Sequence, residues 1–334
     1  MAKKKSSARR RRINLSKLNP RRLLLYGAIV GAAVAILLGG VHHFAPQGTR
    51  DKIEGVTLDI IDLVRESRST PPELVFWLDL VADHIPLSRG NVVQPGTALE
   101  STEESKLALG GKPATAKALT MLRNTGYLAA YDEDYKNPAW VAYRLFPPRH
   151  PPSPRPEGFE MDKRTRSRIE SAAYSHSDYD RGHMAPNRAI SLCYGREAQR
   201  ETFLMSNVVP QKHGLNGAFW SAMERRVMDR YTRRYGDVWV ICGPVYEGTK
   251  AKHSLKTGVA VPDAFFLIIA EKSEGGIRAE AFLVPHRDIK TTADPSQFLV
   301  SIRDIERRTG LDFFPALPGD VQNALETKPA RRAW

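Results

Sequence analysis

Apolar residues follow three rhythms along this chain, and each predicts a different kind of element. From Leu23 to Val41 the string LLLYGAIVGAAVAILLGGV holds nineteen residues without a charge. At 1.5 Å per residue a helix of that length reaches about 28 Å, enough to cross the hydrocarbon core of a bilayer. A buried helix of a soluble domain would show a polar face, and this stretch shows none. A cleavable signal peptide shares the layout, but the following HHFAPQ offers no small-residue cleavage site. An uncleaved anchor over 23–41 is therefore expected.

The second rhythm is helical. IEGVTLDIIDLVRE (53–66) repeats apolar residues at Ile53, Val56, Ile60, Ile61 and Val64, and PPELVFWLDLVADHI (71–85) opens on paired prolines. Together they predict short amphipathic helices that form either a membrane-proximal neck or a partner surface. NGAFWSAMERRVMDRYTRRYG predicts an amphipathic helix from about Asn216 to Gly236, with Trp220, Met223, Val227 and Tyr231 on one stripe. PSQFLVSIRDIERRTG predicts another over 295–310, closed by Gly310. The third rhythm is the short apolar run bounded by turn residues, which predicts strands at 138–146, 237–246, 263–270 and 278–285. HPPSPRPEGFEMD (150–162) is too rich in proline for either element and reads as a loop. Strands and helices alternate in no βαβ order, so the class is α+β. The Gly-, Ser-, Thr- and Glu-rich stretch 91–115 reads as a linker.

Charge changes the picture less than its total suggests. The net charge is +13, but residues 1–22 carry ten Lys and Arg and no acid, which leaves only +3 for the rest. Bulk charge thus does not establish a polyanion partner. It does orient the anchor, because a basic flank stays cytoplasmic and the C-terminal bulk lies across the membrane. Two cysteines, Cys193 and Cys242, are no disulfide framework. They read as buried free thiols.

The candidate chemistry sits in DYDRGHMAPNR (178–188) and SNVVPQKHGLNGAFWSAMERRV (206–227). His183 is a candidate base on an exposed loop, for which a neutral imidazole is required. Arg181 beside it would disfavour the imidazolium. Taken alone, His183 also reads as a satisfied polar residue and Asn216 as a helix N-cap. Amide oxygens such as those of Asn207, Gln211 and Asn216 suit a hard cation like Mg²⁺, while no Cys or His pair has zinc spacing.

The ordered set DRGH at 180–183, SNVVPQ at 206–211, then Asn216, Trp220 and Glu224 resembles the DNA/RNA non-specific endonucleases. These are ββα-metal (His-Me finger) nucleases that include endonuclease G and the secreted bacterial sugar-non-specific nucleases. LRNTGYLAAYDEDYKNPAWVAYRL is similar to their entry strands, and DIERRTGLDFFPALPGDVQNALETKP to their C-terminal helix and tail. The resemblance implies a mixed central sheet with flanking helices. By position, His183 matches the general base and Asn216 the one direct protein ligand of hydrated Mg²⁺, with Mn²⁺ as a substitute. Glu224 matches a carboxylate that orients metal-bound water, Asn207 an amide that helps position the site, and Arg181 a phosphate-side arginine. Arg155 is the nearest match to a further upstream arginine. Asp180 reads as structural, fixing the loop through local hydrogen bonds.

The expected organisation is a basic tail over 1–22, the anchor over 23–41, a neck and linker over 42–111, and a nuclease domain over 112–330. The expected function is a membrane-anchored, Mg²⁺-dependent endonuclease that cuts DNA and RNA with little base preference. The alternative is a catalytically silent module that grips nucleic acid at the cell envelope. A homodimer and an inhibitor protein are further expected partners. The expected compartment is the bacterial inner membrane with the nuclease domain periplasmic. The alternative is the mitochondrial inner membrane, facing the intermembrane space.

Overall fold

The computed structural model describes residues 106–334 except 249, 274–275 and 331–332. The expected anchor at 23–41 and the neck at 51–90 lie outside the described residues. Among the described residues no helix is long and apolar enough to cross a membrane.

The described residues open with β1 (Thr120–Arg123), β2 (Leu128–Asp132) and β3 (Asn137–Leu145). After the proline-rich loop come β4 (Asp180–His183), helices α1 (Asn187–Tyr194) and α2 (Arg196–Glu201), and β5 (Val208–Gln211). A long helix, α3, follows over 215–235; two of its stretches, Leu215–Trp220 and Val227–Tyr231, are wound as π-helix. Then come β6 (Val238–Val245), the short β7 (His253–Ser254) and β8 (Ala260–Val261), β9 (Ala264–Ser273) and β10 (Gly276–Pro285). The chain finishes with β11 (Leu299–Val300) and helices α4 (Ile302–Thr309) and α5 (Gly319–Glu326).

Seven strands form one sheet in the order β1-β2-β3-β6-β9-β10-β11, and every pairing in it is antiparallel. This corrects the expected mixed sheet. Tight reversals such as β9 into β10, paired from Ser273↔Gly276 to Ala264↔Pro285, need no crossover helix. The central strands are apolar on both faces. Val240 and Cys242 pack under α1 and α3 with Ile190, Trp220, Met223 and Tyr231. Ile241 packs on the other side with Ile302, Ile305, Val321 and Leu325 of α4 and α5. Double coverage explains why these strands read as continuous apolar runs rather than alternating ones. Each fully buried Val, Ile or Phe contributes roughly 1.5–3 kcal/mol to holding the layers together.

The helix expected over 295–310 is shorter than its periodicity suggests. Pro295–Phe298 form a 3₁₀ turn started by Asp294, whose side chain accepts the Ser296 N–H. Leu299 and Val300 then pair with Phe282 and Ala281. The helix begins only at the Ser301–Asp304 capping box, where each side chain satisfies the other residue's backbone N–H. Gly310 does close it, in the left-handed conformation with φ 69°.

Candidate active site

DRGH was expected on an exposed loop, but it is strand β4. Its four residues show no apolar alternation, so local pattern hides it; the strand exists because β5 supplies partners, with Asp180↔Gln211 and His183↔Val208 in register. With α3 the two strands make a ββα unit. His183 ends the first strand, Asn216 lies in the first turn of the helix, and Glu224 lies two turns on.

Gly182 has a steric task. A Cβ there would stand 2.1 Å from the Gln211 side-chain oxygen. The missing side chain makes room for the Gln211 amide against β4, where both its polar atoms are buried without a hydrogen-bond partner among the described residues.

His183 is 9 % exposed. Its ring lies between Phe159 and Phe203, with centroids 5.1 and 4.9 Å away, and its Nε2 is buried with no partner among the described residues. Burial pushes the imidazole down to about 3, and the Arg155 charge adds to the shift. The ring is therefore neutral at physiological pH, as a base must be. The cation that acts on it is Arg155, whose guanidinium lies 4.9 Å from the Phe203 ring centre. Arg181 instead turns back to the preceding loop, donating through Nε and Nη2 to the Ser171 carbonyl at 3.2 and 2.7 Å. This corrects the assignment of His183 neutrality to Arg181.

Asn207 is fully buried and its side-chain amide is fully engaged. Oδ1 accepts the Ala185 N–H at 2.8 Å, and Nδ2 donates to the carbonyls of Ala185 and Thr202. It braces the turn just after His183. Asn216 is inside the helix, not its cap: the cap position is Gly214, and no side chain caps it. The Asn216 Nδ2 donates to Asp180 Oδ2 at 2.9 Å, and its Oδ1 has no donor among the described residues. The same Asp180 oxygen lies 2.9 Å from His213 Nδ1. Glu224 is half-buried. Burial pushes its carboxyl up to about 8, although Arg225, the Trp220 indole and Arg155 all draw it back.

The residues fit a hydrated hard cation. One amide oxygen takes no donor among the described residues, and one carboxyl is kept protonated by burial. These are oxygen donors, which Mg²⁺ prefers, and few are needed because Mg²⁺ keeps most of its waters. Arg155 influences both His183 and Glu224, so base, carboxyl and arginine share one electrostatic neighbourhood. Among the described residues the single group of three carboxylates close enough to share a metal is Glu306, Asp312 and Glu326. It belongs to the α4–α5 layer, and Arg303 already pairs with Glu306 and Glu326 at 2.9 and 2.8 Å.

Phe159 and Phe203, which bury His183, carry no signal in the sequence, and neither does the reach of Asp180 to Asn216 and His213. No periodicity marks any of them.

A family profile described as DNA/RNA non-specific endonuclease matches residues 110–320. Nuclease EXOG, mitochondrial, of Danio rerio is 33 % identical over 215 residues, covering 58 % of this chain and 60 % of the relative. The matched part thus spans less than two thirds of that relative's own length. Endonuclease G, mitochondrial, of Homo sapiens is 32 % identical over 228 residues, covering 63 % of this chain and 73 % of the relative. A solved structure of an EndoG/EndoGI complex, which concerns EndoG inhibition, superposes with a TM-score of 0.57 at 26 % identity, covering 66 % of this chain and 95 % of that one.

Proposed function

Because this chain belongs to the DNA/RNA non-specific endonuclease family, we propose that it hydrolyses phosphodiester bonds of DNA and RNA with His183 as general base. The observation that carries this reading is the buried, neutral imidazole of His183, whose Nε2 has no partner among the described residues. A polar atom left unpaired in a protein interior is costly unless a ligand or water completes it.

Water attacks the phosphorus and gives its proton to His183 Nε2, while the bond from phosphorus to the leaving 3′-oxygen breaks. The leaving oxygen takes a proton from solvent, and His183 returns its own to solvent. An imidazole held near 3 is a poor base, but an anionic phosphate arriving beside Arg155 offsets the cation and lifts it. Arg155 then steadies the negative charge that builds on the phosphate. Asn216 through Oδ1, and Glu224 through water, are the residues that would hold Mg²⁺. When bound, that ion supplies positive charge to the phosphate and the leaving oxygen. Asn207 and Asp180 act through the backbone and the amide they hold.

The uncharged run at 23–41 supports a membrane tether for the nuclease domain over 112–330. The relatives' names support the mitochondrial compartment; the bacterial inner membrane has no counterpart in them. The EndoG/EndoGI complex supports an inhibitor protein.

Nicking of supercoiled plasmid by the intact chain in mild detergent, with Mg²⁺ and with EDTA, tests the reading. Cutting only with metal, and a loss of about 10²-fold or more in His183→Ala, is expected. A folded wild type that binds plasmid and RNA without cutting either would return the chain to the silent binding module.

A further inference from the structure

The turn that delivers Asn216 is held from a segment 74 residues downstream. His286 Nε2 accepts the backbone N–H of Lys212 at 2.8 Å. Its Nδ1 lies 2.7 Å from the Pro262 carbonyl, an acceptor only, so the ring proton sits on Nδ1 and Nε2 keeps its lone pair. Phe265 meets the ring edge-on at 5.1 Å and Tyr179 covers it at 5.5 Å, which leaves the imidazole little freedom. The Lys212 ammonium lies 4.6 Å from the centre of the same Tyr179 ring. Two residues on, the Gly214 N–H donates to Asp288 Oδ1 at 3.0 Å. A Cβ at Gly214 would stand 2.6 Å from that oxygen, so the carboxylate closes directly on the backbone.

The turn in turn starts the helix. The Lys212 carbonyl accepts the N–H groups of both Leu215 and Asn216, at 3.0 and 2.9 Å. Lys212 is thus tied to His286 through its nitrogen and to Asn216 through its oxygen. Free N–H groups ahead of a helix can be satisfied by water. Here two of them are bonded instead to side chains just past the end of β10, a strand fixed in the seven-stranded sheet.

We propose that His286 and Asp288 are positioning residues, clamping the 212–214 turn so that the Asn216 amide oxygen stands where a divalent cation can take it. The inference rests on the reading of Asn216 as metal ligand. Neither residue belongs to the motifs quoted above for the family, and among the described residues Asn216 bonds through its side chain to Asp180 rather than to either of them.

Mn²⁺ binding to the full chain, followed by the free-Mn²⁺ electron paramagnetic resonance signal, tests the clamp. Metal titrations of plasmid nicking run beside it. Asp288→Ala and His286→Ala are expected to raise the Mn²⁺ Kd roughly tenfold, the scale of one ordinary hydrogen bond. The Mn²⁺ needed for half-maximal cutting should rise in step, while kcat at saturating Mn²⁺ falls less than about twofold. Asp288→Asn and His286→Gln keep an acceptor and should stay within about threefold of wild-type affinity. Asp288 is exposed, so its alanine variant leaves the core intact even if His286→Ala fails to fold. Clamp variants that bind Mn²⁺ as tightly as a cutting wild type, while Asn216→Ala binds it weakly, overturn the inference. So do amide variants that fail as badly as the alanines. A wild type that neither cuts nor binds Mn²⁺ sinks the proposed function, and the clamp with it.

Discussion

Asp180 Oδ2 accepts the Asn216 Nδ2–H at 2.9 Å, so the strand that ends in His183 also orients the amide at the start of α3. One side chain thereby couples the proposed base to the residue proposed as metal ligand. Asp180→Ala frees that amide to rotate. It should lower plasmid nicking by about tenfold, roughly the loss of one hydrogen bond to a charged group. An unchanged rate would show that Asn216 needs no such guide.

Arg155, not Arg181, bears on the charge of His183. Ring-proton NMR across a pH titration should place the wild-type imidazole near 3. Arg155→Ala removes the opposing cation, so the midpoint should rise while burial keeps it below 6.5. Arg181→Ala should leave it in place. In activity, the neutral form of free His183 persists above pH 3, so the acid limb of kcat/KM, which reports the free enzyme, should not fall at the ordinary histidine value.

Gly182→Ala pushes a methyl group into the Gln211 amide. Overpacking of this kind costs about 1–3 kcal/mol, readable as a lowered midpoint in urea. Adding Gln211→Ala should recover most of that loss, and a double-mutant cycle showing additive losses would place the strain elsewhere.

Burial, with the charge of Glu306 added, pushes Glu326 up to about 8, and Arg303 only partly opposes this. The folded state holds a proton that an unfolded glutamate releases near 4.5. The contribution is therefore complete below pH 4.5 and is lost as pH climbs to about 8. Urea melts at pH 5 and pH 8.5 should show the higher stability at pH 5, and Glu326→Gln should shrink the difference.

Cys193 and Cys242 are both buried and free. Burial raises both thiols, Cys193 to about 11. Thiol reagents should leave the folded chain untouched and react with both cysteines only in denaturant. Reducing agent should not move Tm. Rapid labelling of the native protein would contradict the packing of the α1 and β6 layers.

What the sequence determined by itself was whatever depends on neighbours along the chain. The apolar runs of β6, β9 and β10 and the stripe of α3 are local patterns, and so are the stops at Gly236 and Gly310. Motif spacing also singled out His183, Asn216 and Glu224, since the order of a few residue types survives without any knowledge of the fold. Only the tertiary structure decided the rest. DRGH is a strand because β5 pairs with it, which no property of four polar residues announces. Asn207 proves to be a brace because its three side-chain hydrogen bonds go to Thr202 and Ala185, 5 and 22 residues away. Arg155 displaces Arg181 because aromatic rings bury the imidazole beside the proline-rich loop, while Arg181 is drawn back to Ser171. The clamp on the Asn216 turn comes from His286 and Asp288, across a separation of 74 residues. Contacts of that range depend on how the layers close, and local sequence carries no record of it.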